Sequence, residues 1–307
     1  MVVHQKAAAL TLFIAARDAA SQREFLLTQQ QRYAPSAALK TVRWQGVSLL
    51  GFIAAMPPDA QTSPARHLQP ALPRDTAAVA KNPFATLCER VDAVVAIGQQ
   101  AGQAALQDCA APVLLMLMPQ RQVQQLRKGS QHKAVSAIYL EVDPILNLRL
   151  VRQLLPQATT VGLWVSPQSQ AWLPRLRTEA QRLQLRLEEM PVTDDTAAVR
   201  ELRHRIDQLD ALLLLPDTAI INSWSLKPIL LISARHYLPT FGGLTERYVD
   251  AGVMAAMVAD LELISTQMAA MLQRFAQGDI TAPAYPRAVR LTFNDVVARA
   301  MSVSIPP

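Results

Sequence analysis

The sequence predicts an α/β protein of two doubly wound parallel-sheet lobes joined by a hinge, and three observations carry this. Short, almost wholly apolar runs such as Pro112 to Met118 and Ala211 to Leu215 suit strands covered on both faces by helices. Amphipathic helical segments alternate with these runs along the chain, the pattern of parallel βα units. The chain has 307 residues, more than a single core usually serves.

The first unit is a strand over Ala8 to Ala15. Ser21 and Glu24 form a capping box for a helix over Gln22 to Arg32. Leu39 to Trp44 is a second strand, and the five prolines between Pro57 and Pro73 predict a long irregular connection. Val91 to Gly98 is a parallel strand ending in a glycine turn, with a helix over Gln99 to Leu106 behind it. Pro119 ends the next strand, and the basic, glutamine-rich piece from Gln120 to Lys133 is a helix or link near which the chain first crosses between lobes.

Ser136 to Leu140 is the strand that opens the C-terminal run of βα units. Asp143 followed by Pro144 starts a helix, Leu146, Leu150 and Leu154 form its apolar stripe, and Pro156 stops it. Strands over Thr160 to Val165, Leu185 to Met190 and Ala211 to Leu215 follow, separated by helices over Ala171 to Leu183 and Thr196 to Gln208. Asn222 can cap a helix running towards His236, where Pro228 requires an early start or a kink. Gly242-Gly243 breaks the chain before helical segments over Tyr248 to Val258 and Leu261 to Gln277, with Gly278 as the stop. Val289 to Asn294 is the closing strand, and no internal sequence repeat is evident.

Composition narrows the function classes. Hydrophobic residues make up 50% and charged residues 18%, which supplies cores and argues against disorder. The net charge of +6 and pI of about 9.6 come from arginines scattered along helical segments such as Leu173 to Arg186, which points to a solvated basic surface and not to nucleic acid. No apolar run approaches the roughly 18 residues of a spanning helix. Ala7 to Ala16, between Lys6 and Arg17, is read as the first buried strand and not as a signal segment, so an export signal is expected to have been removed. Cys88 and Cys109 fit no metal-ligand spacing and are expected to be free, buried thiols. The five histidines are dispersed, so no metal is expected.

The sharper chemistries are not supported. Gly98 and Gly102 lack the spacing of a dinucleotide turn, and neither a phosphate-binding loop nor a nucleophile elbow occurs. Glu188-Glu189 and Asp194-Asp195 suit solvated surface, and Met254, Met257, Met268 and Met271 suit core packing. Neither enzymatic activity nor a cofactor is expected.

A family resemblance enters with the run Asp210 to Asp217, then Asn222, Ile229 to Arg235, Pro239, Gly242, Tyr248-Val249 and Ala251-Gly252. This stretch resembles the substrate-binding proteins of ABC transporters in the tryptophan/tyrosine-binding-like group, which have the type I periplasmic binding protein fold. Ser136 to Pro156, Val161 to Pro167, Leu291 to Asn294 and Ile305-Pro306 are similar to the same group. The resemblance is strong from Ser136 onwards, moderate over Asp92 to Pro119 and weak before that. It implies three crossings between lobes and a hinged cleft that closes on a small organic ligand, often an aromatic amino acid. Lobe one would hold residues 1–118 and 257–278, and lobe two residues 119–256 and 279–307.

Ligands in open α/β sheets meet the carboxyl ends of the strands, where helix N-termini present free N–H groups. The candidate ligand-binding residues are therefore Asp18, Gly98, Gln99, Gln100 and Met118 in lobe one, and Ser166, Asp217, Asn222, Gly242 and Tyr248 in lobe two. Asp217 would suit an ammonium and the turn at Gly98 a carboxylate. Each has a plain structural role as an alternative: Asp18 can begin a turn, Asn222 can cap its helix, and Asp217 can make an Asx-turn. The chain departs from the family pattern at Gln99-Gln100, at Met116 to Pro119 and at Gln168 to Gln170, changes that remove charge from the expected amino-acid site. Trp164, Trp172, Trp224 or Tyr248 could supply an aromatic wall.

The function expected is that of a periplasmic, monomeric solute-binding protein that delivers a small organic molecule, such as an aromatic or amphipathic one, to a membrane permease. The alternative is a sensory or interaction protein with a degenerate cleft and a membrane-bound receptor as partner.

Overall fold

A computed structural model describes residues 10–16, 39–45, 91–132, 134–261 and 263–304. The expected helix over Gln22 to Arg32, the proline-rich connection and the tail at Ile305-Pro306 lie outside the described residues. Two compact units are present, one of Met1–Tyr139 with Leu261–Ala284 and one of Leu140–Asp260 with Tyr285–Pro307. The chain therefore passes between units at 139/140, 260/261 and 284/285, three crossings in all.

The first unit has a parallel sheet of β1 (Leu10–Ala16), β2 (Leu39–Gln45), β3 (Ala93–Ile97), β4 (Val113–Met118) and β5 (Val135–Tyr139). Their order is β2-β1-β3-β4-β5. Helix α1 (Gln99–Asp108) connects β3 to β4, and α2 (Gln120–Lys128) connects β4 to β5. Every residue of β3 and nearly all of β4 are buried, as strands covered on both faces must be. One face carries Ala93, Val95, Leu114, Met116 and Ile138 against a later helix that returns to this unit, α8 (Ile264–Ala276), through Ile264, Met268, Leu272 and Phe275.

Two expectations are corrected here. The strand at Ser136 to Tyr139 belongs to the first unit and not to the second, because Val135 to Tyr139 pairs in parallel with β4, from Val113↔Val135 to Met118↔Tyr139. The first boundary consequently falls at 139/140 and not after residue 118, and the later ones fall at 260/261 and 284/285 in place of 256/257 and 278/279. Cys109, expected as a free thiol, is disulfide-bonded, and Cys88 is the only other cysteine in the chain. A spacing that matches no metal site says nothing about a bridge, which depends on how the chain folds back.

The second unit contains α3 (Pro144–Leu154), β6 (Thr160–Val165), α4 (Leu173–Arg182), β7 (Arg186–Pro191), α5 (Asp195–Arg205), β8 (Ala211–Leu214), α6 (Leu226–Arg235), β9 (Thr240–Gly242), α7 (Arg247–Asp250), β10 (Ala255–Ala259), β11 (Val289–Phe293) and α9 (Asp295–Ala300). Short 3₁₀ turns at Gln170–Trp172 and Ile206–Gln208 flank α4 and α5. The sheet order is β11-β10-β9-β8-β6-β7, parallel except for β11, which runs antiparallel to β10. Without β11, it repeats the order of the first unit, a likeness of topology that the sequence does not show as a repeat.

Alternate residues of the apolar strands divide between two cores. Val161, Leu163, Ala211, Leu213 and Phe241 pack with α3, α4 and α9 through Leu148, Val151, Leu176 and Ala298. Trp164, Leu212 and Leu214 pack on the other face with α5 and α6 through Ala198, Leu202, Ile229 and Ile232. The buried side chain of Asn147 ties α3 to the middle of β10, accepting from the Met257 N–H at 2.7 Å and donating to the Met257 carbonyl at 3.3 Å.

The segment Tyr248 to Val258, expected to be helical, is a short α7 followed by β10. Gly252 at φ 120° ends the helical turn, and Ala255 to Ala259 is then claimed by sheet neighbours on both sides. Pro228 takes the early-start option, since it is the third residue of α6, where its missing N–H has no intrahelical partner to lose.

Candidate functional site: the carboxyl edges of the two sheets

In both units the strand order reverses direction at one point, between β1 and β3 in the first and between β6 and β8 in the second. Loops leaving such neighbouring strands diverge and expose backbone donors between them, which is where doubly wound sheets receive ligands.

In the second unit the loops after β6 and β8 are locked together. The buried Ser166 hydroxyl donates to the carboxylate of Asp217, itself 3% exposed, across 51 residues of sequence. The same hydroxyl accepts from the Gln168 N–H at 2.9 Å, and the Ser166 N–H donates to Ser169 Oγ at 2.9 Å. The other Asp217 oxygen accepts from the Ala219 N–H at 3.1 Å, and the Asp217 carbonyl accepts from Ile221 N–H at 2.8 Å. Asp217 thus makes the Asx-type turn open to it and also binds the neighbouring loop. Sequence reasoning named Ser166 and Asp217 separately but not as a pair, and it missed Ser169, which is fully buried.

Asn222 is also committed. Its Oδ1 accepts from the Trp224 and Ser225 N–H groups at 2.9 and 3.2 Å, and its Nδ2 donates to Asp195 Oδ2 at 3.0 Å, fastening the loop after β8 to the start of α5. The neighbouring Asp194 caps α5, and the Ala197 N–H, with the Thr193 hydroxyl, holds its carboxyl below the ordinary range. One consequence of the Asn222 turn is that Trp224 stands out from the loop, 84% exposed. The other aromatic candidates are engaged: Trp164 is buried and donates to the Ala198 carbonyl at 3.1 Å, while Trp172 donates to the Tyr285 hydroxyl at 3.0 Å.

Gly242 ends β9 at φ 87°, where an added Cβ would lie 2.8 Å from the Leu214 carbonyl oxygen. Only glycine fits this position without strain. Tyr248 lies over Gly243 and donates to the Ile221 carbonyl at 3.3 Å, and burial pushes its hydroxyl pKa up.

In the first unit Gly98 follows β3 at φ 84° and forms the N-cap of α1, where no cap side chain accepts from the first N–H groups of the helix. Gln99 and Gln100 are exposed at the same edge. Met118 is corrected as a candidate side chain. It is fully buried, and its methyl lies against Gly102 of α1, so it offers a ligand no side-chain surface. The residue that alters this edge is Leu117, in the left-handed region at φ 54° beside an irregularity in the β4–β5 register, a feature no sequence signal announced. Asp18 lies outside the described residues.

Exposed at these edges are the neutral amides of Gln99, Gln100 and Gln170 and the indole of Trp224, with the carboxylates of Asp194 and Asp195 beside the Asn222 loop. Among the described residues no cluster of three or more histidine, cysteine or acidic side chains could hold a metal, and no helix is long and apolar enough to cross a membrane.

The chain is similar along its length to several solved structures. An open, ligand-free substrate-binding protein with adhesive properties from Clostridium difficile matches at a TM-score of 0.68 and 14% identity, covering 97% of this chain and 96% of that one. The fold is that of the type I periplasmic binding proteins. A conserved domain protein from Vibrio cholerae matches at a TM-score of 0.55 and 15% identity, covering 98% and 96% of the two chains. An ABC domain from Streptococcus pneumonia in complex with L-Trp matches at 0.54 and 14%, covering 96% and 95%. No protein-family model and no curated protein matches the sequence.

Proposed function

We propose that this chain is an exported solute-binding protein that captures a small organic ligand with the carboxyl edges of its two sheets and delivers it to a membrane permease. The observation that carries the proposal is the repetition of one strand order, with its switch point, in both units. The Ser166–Asp217 lock makes the second edge a pre-organised shelf, and the neutral amides around it favour an aromatic or amphipathic molecule over a zwitterion. Binding to a substrate-binding protein fold of this kind works by population shift, the ligand favouring the state to which it has the higher affinity. A micromolar affinity corresponds to about 8 kcal/mol. The Cys109 disulfide supports an oxidising compartment such as the periplasm.

A second reading, an interaction protein with a membrane-bound partner, is favoured by one observation, the 84% exposure of Trp224. Native mass spectrometry of gently purified protein separates the two, followed by thermal-shift screening with aromatic acids, amino acids and purines. A retained small molecule or a saturable shift supports solute capture. Neither, combined with recovery of a membrane partner that a Trp224→Ala variant fails to bind, supports the interaction protein.

A further inference from the structure

The second unit also carries an apolar groove of about 500 Å³ on its surface, within the size range of small-molecule sites. Its floor runs along α6, where Leu226, Leu230 and Ser233 recur at i, i+4 and i+7 and so share one face, and Val297 of α9 and Met301 just past its end complete the lining. Leu231, 51% exposed, forms part of the lip. Apolar surface alone would not define a ligand. Ser233, however, is 1% exposed, lines the groove, and its hydroxyl has no hydrogen-bond partner. A buried hydroxyl left unpaired costs about 1–3 kcal/mol, so an oxygen or N–H brought to it by a ligand recovers a real deficit. Lys227 is the only charged side chain among the lining residues and forms no ion pair among the described residues.

We infer that this groove is a second ligand site, which takes a slender amphipathic carboxylic acid with a neutral hydrogen-bonding group at the far end of its apolar body. The body lies along Leu226, Leu230, Val297 and Met301, the neutral group pairs with the Ser233 hydroxyl, and the carboxylate meets Lys227 at the rim. Lys227 and Ser233 lie six residues apart, about 9 Å along the helix axis, which sets the scale of the separation between the two polar groups of the ligand.

The test is calorimetric titration of the full chain with 10-hydroxydecanoate, decanoate and decanol. Saturable binding of the hydroxy acid is expected. Ser233→Ala should weaken it about tenfold while leaving decanoate unchanged, and Lys227→Gln should weaken both acids about two- to fivefold. Thermal unfolding of Ser233→Ala at or above the wild-type midpoint shows that the variant is folded. Asp217→Asn, which perturbs the carboxyl-edge site, should leave these titrations unchanged. The inference is overturned by absence of saturable binding to the wild type, by binding that Ser233→Ala and Lys227→Gln leave intact, or by binding that Asp217→Asn abolishes.

Discussion

Replacing Ser166 by alanine removes one hydroxyl and the two hydrogen bonds it makes. The Asp217 carboxylate, 3% exposed, loses its link to the β6 loop, the Gln168 N–H loses its acceptor at 2.9 Å, and the two loops at the switch point are no longer fastened. A hydrogen bond to a charged group contributes about 1.5–3 kcal/mol, and the Gln168 N–H can turn to water, so the expected loss is about 2 kcal/mol. For a unit the size of the second one, unfolding by itself, that corresponds to a fall of about 4–8 °C in the thermal midpoint. A double-mutant cycle with Asp217→Ala isolates the contact, and coupling of about 1–2 kcal/mol is expected from urea denaturation. The alanine variant should also lose affinity for any ligand bound on that edge, since the shelf is then free to shift. A cost below about 0.5 kcal/mol with no coupling would refute the claim that this pair organises the edge.

Gly242→Ala should destabilise the protein by about 2 kcal/mol or more in urea denaturation, because its φ of 87° and the 2.8 Å approach of its Cβ to the Leu214 oxygen leave no relaxed conformation. Acid should destabilise the second unit. Hydrogen bonding from Arg149 lowers the pKa of Glu179, and hydrogen bonding from Arg177 lowers that of Glu189, so their contribution is present above the unfolded carboxylate value of about 4.3 and is lost as pH falls through the lower folded values. Urea midpoints at pH 7, 5 and 3 should therefore drop chiefly between pH 5 and 3, with a smaller drop for Glu179→Gln. Reduction of the Cys109 disulfide should cost about 3 kcal/mol, read as a lower calorimetric midpoint with reductant than without.

Much of the fold was legible because doubly covered strands have to be apolar throughout. Thr160–Val165 emerged with its predicted bounds, and the Asp143-Pro144 helix start is present, with the Asp143 side chain accepting from Ile145 N–H. β10 was not legible, because Met254 and Met257 stand three residues apart and a short apolar run carries no decisive period. Only pairing with Phe241 and with Ala255↔Phe293 to Ala259↔Val289 shows it to be a strand. The placement of β5 failed for a related reason, since a strand's partner is a non-local choice. At the site, the rule that ligands meet strand carboxyl ends picked out Ser166 and Asp217, yet their pairing depends on β6 and β8 becoming neighbours across Gly162↔Leu212. The outward position of Trp224 depends on where the Asn222 side chain bonds, which local sequence does not specify.

The central claim is that ligand is received on the carboxyl edges of the two sheets, and hydrogen–deuterium exchange with the ligand recovered by the screen tests it most directly. Slowed exchange is predicted in residues 98–103, 117–120, 166–170 and 216–225, with little change at the opposite strand ends. Slowed exchange confined to the amino ends of the strands, or none on either carboxyl edge at saturating ligand, would contradict the account.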